Sequence, residues 1–150
     1  MEIDRPRSTA RIGTHPIHPM LIPFPIAFLV GALVTDLIFT QGGGDLFWAR
    51  AGTYLLGAGI VTALLAAVFG FIDFFGSQRI RDLSHAWQHM FGNLLAVVVA
   101  AANFLLRLGD EADAILPLGL LLSAVTVAIL IFTGWRGGDL VYRHGVGTPE

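Results

Sequence analysis

Four long apolar runs joined by three short polar links set the terms for this 150-residue chain. A helix needs about 20 mostly apolar residues to cross a hydrocarbon layer roughly 30 Å thick. Runs at about residues 17–39, 51–75, 86–106 and 114–135 meet that length. The first carries one charge, Asp36, the second none before Asp73, the third none from Met90 onward, and the fourth none at all. Lipid leaves only helices and closed barrels as spanning structures, and no run alternates with the period of two that a barrel strand requires. Composition agrees: 55% of the residues are hydrophobic and 13% charged, against about 25% charged in a soluble domain. So few charges cannot dress a water-facing surface, which leaves the lipid bilayer as the surrounding partner.

The links GGGD (42–45), SQRIRD (77–82) and GDEAD (109–113) are short, and short links make consecutive helices antiparallel neighbours. The expected architecture is therefore an all-α membrane protein, one domain of four transmembrane helices in an up-down-up-down bundle. A polar N-terminal leader (Glu2, Asp4, Arg5, Arg7, Arg11) precedes it and a glycine-rich tail follows it. Pro16, Pro19, Pro23 and Pro25 predict an extended or kinked start to the first span, and Pro117 is expected in the first turn of the fourth. Small residues four apart (Gly59, Ala63, Ala67; Ala96, Ala100) are the spacing that lets helix backbones approach in lipid.

Cationic side chains concentrate on the cytoplasmic side of membrane proteins. The side holding both termini and the middle link carries Arg5, Arg7, Arg11, Arg79, Arg81, Arg136 and Arg143, whereas the other carries Arg50 and Arg107 beside four acids. Both termini are expected to be cytoplasmic. The same topology gathers all five histidines on that face. His15 and His18 open the first span, His85 and His89 the third, and His144 follows the fourth, with Asp73 and Asp139 at neighbouring ends. Asn93 lies one turn beyond His89. Imidazoles ligate haem iron, zinc, copper and non-haem iron alike, and a ligating ring commonly donates its other N–H to a carboxylate or carbonyl. Asp73 and Asp139 are candidates for that role.

The segments HPIHPMLIPFPIAFLVGALVTD (15–36) and GGDLVYRHGVG (137–147), with GFIDFFG (70–76) and HMFGN (89–93) between them, resemble a family of small bacterial integral-membrane proteins catalogued as domain of unknown function 2231. The likeness covers nearly the whole chain. It implies a four-helix inner-membrane protein without an established activity, with His15, His18, Asp36, Asp73, His89, Asn93 and His144 as its family-type polar residues.

Three functional expectations follow. The preferred one is a redox-accessory protein holding haem b or a transition metal through His15, His18, His89 and His144, with Asp73 as a further metal ligand. His18 and His89 sit at similar depth on helices one and three, as a bis-histidine haem needs, and Arg79, Arg81 and Arg143 are placed to pair with propionates. Its partner would be a membrane redox protein or a second copy. The second is an oligomeric ion or proton transporter using Asp36, which otherwise pairs with Arg50 or Arg107 near the far interface. The third is a structural or partner-binding module. No Cys is present, which removes thiolate sites and covalently attached haem. No GxSxG, HExxH or P-loop motif occurs, and nothing supports nucleic-acid binding.

Overall fold

The computed structural model describes residues 8–148. Of the leader, Glu2, Asp4, Arg5 and Arg7 lie outside the described residues, as do Pro149 and Glu150 of the tail. The chain opens with a two-residue hairpin, β1 (Arg11–Ile12) paired antiparallel with β2 (His15–Pro16), turned by Gly13 at φ 61°. There follow α1 (Ile17–Leu21), α2 (Pro23–Gln41), α3 (Leu46–Gly76), the short α4 (Gln78–Arg81), α5 (Ser84–Arg107), a π-helical turn (Ile115–Gly119) and α6 (Leu120–Tyr142). The spans Ile17–Gln41, Leu46–Gly76, Ser84–Arg107 and Ile115–Tyr142 are each long and apolar enough to cross a membrane.

The first span stays helical through its prolines. Ile22 keeps helical angles between α1 and α2, and its N–H still reaches the His18 carbonyl. Pro23 and Pro25 donate nothing to the carbonyls four residues back. The extended segment is instead the hairpin before Ile17. At the other end of α2, Gly43 and Gly44 take φ of 76° and 81° to turn the chain, and Asp45 caps α3 by accepting from the Phe47 N–H at 2.9 Å. The fourth span begins differently from the regular first turn expected at Pro117. Leu116 has non-helical angles and a cis peptide to Pro117, and regular helix starts only at Leu120. It also runs on to Tyr142, so Gly137, Gly138 and Asp139 are helical and the tail proper is short.

The helices form a closed ring. α2 lies along α3 and α5 along α6, while α2–α6 and α3–α5 contacts complete it. Contact order makes each sequence neighbour antiparallel. His18, Leu29 and Asp36 meet Gly70, Gly59 and Gly52 in turn; Trp87 and Phe104 meet Phe74 and Gly57; His89 and Asn103 meet Gly137 and Gly119. Glycine sets these approaches, because a Cβ at Gly59 would lie 2.7 Å from the Leu29 side chain. Outward positions such as Val61, Leu64, Val68, Val98 and Ile131 are exposed and apolar, as a lipid-facing surface must be.

The end away from the termini is tied by a buried polar network. Arg107 and Asp36, both fully inaccessible, form a two-pronged ion pair with contacts of 2.7 and 2.6 Å. Ser123 donates to the second Asp36 oxygen at 2.6 Å, and Asn103 accepts from Arg107 Nε at 3.1 Å. Asn103 in turn donates to Ser123 and to the Gly119 carbonyl. Gly52 makes the room, for a Cβ there would fall 2.9 Å from Arg107 and 3.1 Å from Asp36. One network thus joins α2, α5 and α6 against α3. Removing one member of such a pair leaves a buried charge without its partner, which costs about 3–5 kcal/mol. Asp36→Leu and Arg107→Met are each expected to lower the thermal unfolding midpoint of the detergent-purified protein sharply, whereas Arg50→Met, which loses only an exposed 3.3 Å contact to Glu111, leaves it nearly unchanged.

Candidate functional site

At the terminal end of the bundle the helices enclose a cavity of about 450 Å³, walled by α1, α2, α3, α5 and α6 and reaching down to Leu29 and Ala96. Its lining is predominantly apolar, with His18, His89, Asn93 and Thr133 among the few polar groups. A volume of this size, with few polar groups on an apolar wall, is typical of small-molecule and cofactor sites. Segments from both chain ends roof it. Phe74, Ile80 and Ala86 form a small core there with Leu140 and Val146, and Gly147 packs close to Pro16.

The two histidines are held in the same way. His18 Nδ1 lies 2.8 Å from the Ala66 carbonyl of α3, and His89 Nδ1 lies 2.8 Å from the Thr133 carbonyl of α6. A carbonyl only accepts, so Nδ1 carries the proton in both rings and Nε2 is left as the potential ligand atom. Each carbonyl belongs to the residue four before a glycine, Gly70 or Gly137. In a helix that carbonyl already accepts from the N–H four residues on, and the ring reaches it only because the glycine has no side chain. A Cβ would lie 2.9 Å from the His18 ring at Gly70 and 2.9 Å from the His89 ring at Gly137. The ring centres are 6.1 Å apart and the planes nearly perpendicular at 87°. Asn93 braces His89: its amide donates to the His89 carbonyl at 2.8 Å, sits 3.3 Å from Nε2, and its oxygen accepts from Thr133 at 3.1 Å.

The remaining residues singled out in the sequence lie elsewhere. His15 is exposed on β2 beside Thr14. His144 stacks obliquely with His85, 5.3 Å between ring centres, in a separate cluster. There Asp139 is approached by Arg143 at 2.9 Å, Arg136 at 3.5 Å and His85 at 3.7 Å. The four-histidine set therefore divides, and His18 with His89 is the pair the fold brings together. Asp73 is a structural clamp. It accepts from the Thr9 and Ala10 N–H groups, both at 2.7 Å, and from Ser8 Oγ at 2.8 Å, fastening the N-terminal segment over α3. Arg81 is engaged with the Phe74 and Phe75 carbonyls and Gln78 at the end of α3. Asp36 belongs to the opposite end. Among the described residues no group of three or more His, Cys, Asp or Glu is arranged to hold a metal ion.

Sequence reasoning passed over Gly70, Gly137, Thr133 and the Asn103–Ser123 pair. The one usable signal was Asn103 and Arg107, four apart at the end of an otherwise apolar helix, where two hydrogen-bonding groups on one face call for partners inside the bundle.

No curated protein and no solved structure matches this sequence. Residues 14–150 match the sequence model of one protein family, described as a predicted membrane protein (DUF2231). Four apolar helices, a polar network at one end and a histidine-bearing cavity at the other are thus the build of a polytopic membrane protein, and the chain belongs to that family.

Proposed function

We propose that the cavity binds haem b, with His18 and His89 as its two axial ligands, and that the protein serves as a membrane redox accessory. The observation that carries this reading is the pair of rings, each anchored through Nδ1 to a backbone carbonyl, with their centres 6.1 Å apart in the lining of one apolar cavity. Metal–nitrogen bonds of about 2.0–2.1 Å place the ring centres of two imidazoles on opposite sides of one metal about 6 Å apart. Haem is favoured over a bare ion by donor arithmetic. Two imidazoles leave zinc or copper short of its usual four ligands, and no third His, Cys, Asp or Glu is gathered there among the described residues. A porphyrin brings four nitrogens of its own. Asn93, at 3.3 Å from His89 Nε2, releases that contact on ligation. Arg136 and Arg143, which share Asp139 at the same end of the bundle, would supply positive charge for propionates. Held by His18 and His89 together, a haem would supply electron transfer to a membrane redox partner, and the two imidazoles would leave it no vacant position for oxygen. Ion translocation through Asp36 is disfavoured, because its carboxylate is saturated by Arg107 and Ser123.

The orientation proposed is that of an inner-membrane protein with both termini in the cytoplasm. Arg11, Arg79, Arg81, Arg136 and Arg143 cluster at the terminal end, and Arg107 is buried in an ion pair, so Arg50 alone remains exposed at the other.

Ferric haem added to the detergent-purified protein is expected to give a six-coordinate, low-spin spectrum at one haem per chain. His18→Ala and His89→Ala each convert it to a five-coordinate form, whereas His15→Ala and His144→Ala do not. A wild-type protein that takes up no haem rules the reading out. Gly70→Ala pushes a methyl group into the His18 ring, and overpacking of about 1–3 kcal/mol weakens haem binding by roughly tenfold or more, read by titration. For orientation, a membrane-impermeant maleimide on intact cells is expected to label Gln41→Cys and spare Asp82→Cys in this naturally cysteine-free chain; the reverse pattern inverts the topology.

A further inference from the structure

The two histidine anchors are copies of one another, and the correspondence extends through the whole bundle. His18 and His89 are 71 positions apart, and so are four pairs of buried residues along their helices: Pro25 and Ala96, Leu29 and Ala100, Ala32 and Asn103, Asp36 and Arg107. Buried Thr35, Phe39 and Ala86, by contrast, have exposed equivalents. The partner helices correspond at an offset of 67. Buried Gly52, Leu56, Gly59 and Ala66 of α3 match buried Gly119 of the π-helical turn and Ser123, Thr126 and Thr133 of α6, and Gly70 matches Gly137. The offset shrinks by four because Arg107 and Gly119 stand 12 positions apart where Asp36 and Gly52 stand 16 apart. Ala66 and Thr133, whose carbonyls accept from the two histidine rings, are equivalent in this scheme, as are the glycines that admit the rings.

The helix ring has the matching symmetry. A two-fold rotation about the bundle axis exchanges α2 with α5 and α3 with α6. It carries the α2–α3 contact onto α5–α6 and the α2–α6 contact onto α3–α5, all of which occur. Both halves run in the same direction, so the relation is a parallel repeat about an axis along the membrane normal. Residue identity conceals it. Between 18–36 and 89–107 the histidine is the one residue in common, and between 52–70 and 119–137 only the two end glycines and Leu55/Leu122 agree. Volumes are traded across the axis: Leu29 fills the space over Gly59, and their equivalents are the smaller Ala100 and the larger Thr126.

We propose that the chain is a fused pair of equivalent helical hairpins, and that the cavity's ligand lies on the two-fold axis, taking one Nε2 from each half. This rests on the haem reading for the ligand and on the buried-residue correspondence for the axis. A residue beside a two-fold axis meets its own copy in a homodimer. Fusion lifts that restriction. At the far end it lets Asp36 face Arg107 where an unfused dimer would oppose like charges. At the histidine layer the two histidines and the glycines that admit them remain identical, Gly70 with Gly137, which suits a ligand that takes one ring from each half.

The axis predicts that the far network can be rebuilt with the halves exchanged. The exchange consists of Asp36→Arg with Arg107→Asp, Ala32→Asn with Asn103→Ala, and Leu56→Ser with Ser123→Leu. Asp36→Arg alone is expected to abolish monodisperse elution, and the six-fold exchange to restore it together with the thermal midpoint. A six-fold exchange no better than the single variant overturns the equivalence. Independently of folding variants, spin labels at Val34→Cys/Leu121→Cys and at Tyr54→Cys/Leu105→Cys report equivalent spans, and clearly unequal distances also overturn it. In haem titrations His18→Ala and His89→Ala should lose affinity by the same factor, and a large difference removes the ligand from the axis. Failure of the wild type to bind haem ends the haem reading and the ligand half of this proposal, while the exchange and the distances decide the repeat on their own.

Discussion

Lipid supplies no hydrophobic drive between helices, so a membrane bundle depends on close backbone approach and on polar groups that find partners only inside. Here both devices act at the same places. Gly52 admits Arg107 and Asp36, and Gly70 and Gly137 admit the two histidines. Between these layers the contacts are small or apolar: Leu29 over Gly59, Ala32, Leu56 and Ala100. The bundle is therefore pinned at two levels: the Asp36–Arg107 pair ties one half of the chain to the other, whereas each histidine is bonded within its own half and the two rings meet at 6.1 Å.

The two levels differ in what they leave available. At the far end both buried charges are matched, and the Asp36–Arg107–Ser123–Asn103 network has no capacity left for a ligand. At the terminal end each imidazole has spent one nitrogen on a carbonyl and keeps the other, and the rings border a cavity rather than a packed core. A closed, saturated end and a preorganised, open one are what the proposed ligand binding would use to keep conformational work small. The surrounding clamps serve the same purpose. Asp73 fastens the N-terminal segment, Arg81 ends α3, and the returning C-terminal residues cover the roof.

Much of this was legible in the chain. The lengths of the apolar runs gave four spans, and the short links gave their alternation. The proline-rich opening and the extra length of the fourth helix were harder to read. Pro23 and Pro25 forfeit two hydrogen bonds yet the helix continues, and Gly137–Gly138 read as a tail until the His89 ring is seen lying against Gly137. The histidine set illustrates the limit best. Shared depth put five imidazoles in one layer, but depth says nothing of rotation about a helix axis, and rotation is what separates the His18–His89 pair from the His85–His144 pair and leaves His15 on the surface.

Hydropathy and charge are one-dimensional properties, and the sequence alone therefore determined the class of protein, the number of spans and the end at which the histidines gather. Which residues face each other is a matter of azimuth and packing, and only the tertiary structure decided it. It paired Asp36 with Arg107, gave Asp73 to the N-terminal backbone, and aligned two halves that share almost no residues. The physical reason is that lipid selects side chains by polarity and length along the membrane normal, whereas the interior selects them by shape, and glycines that look interchangeable in a sequence become the contacts that define the site.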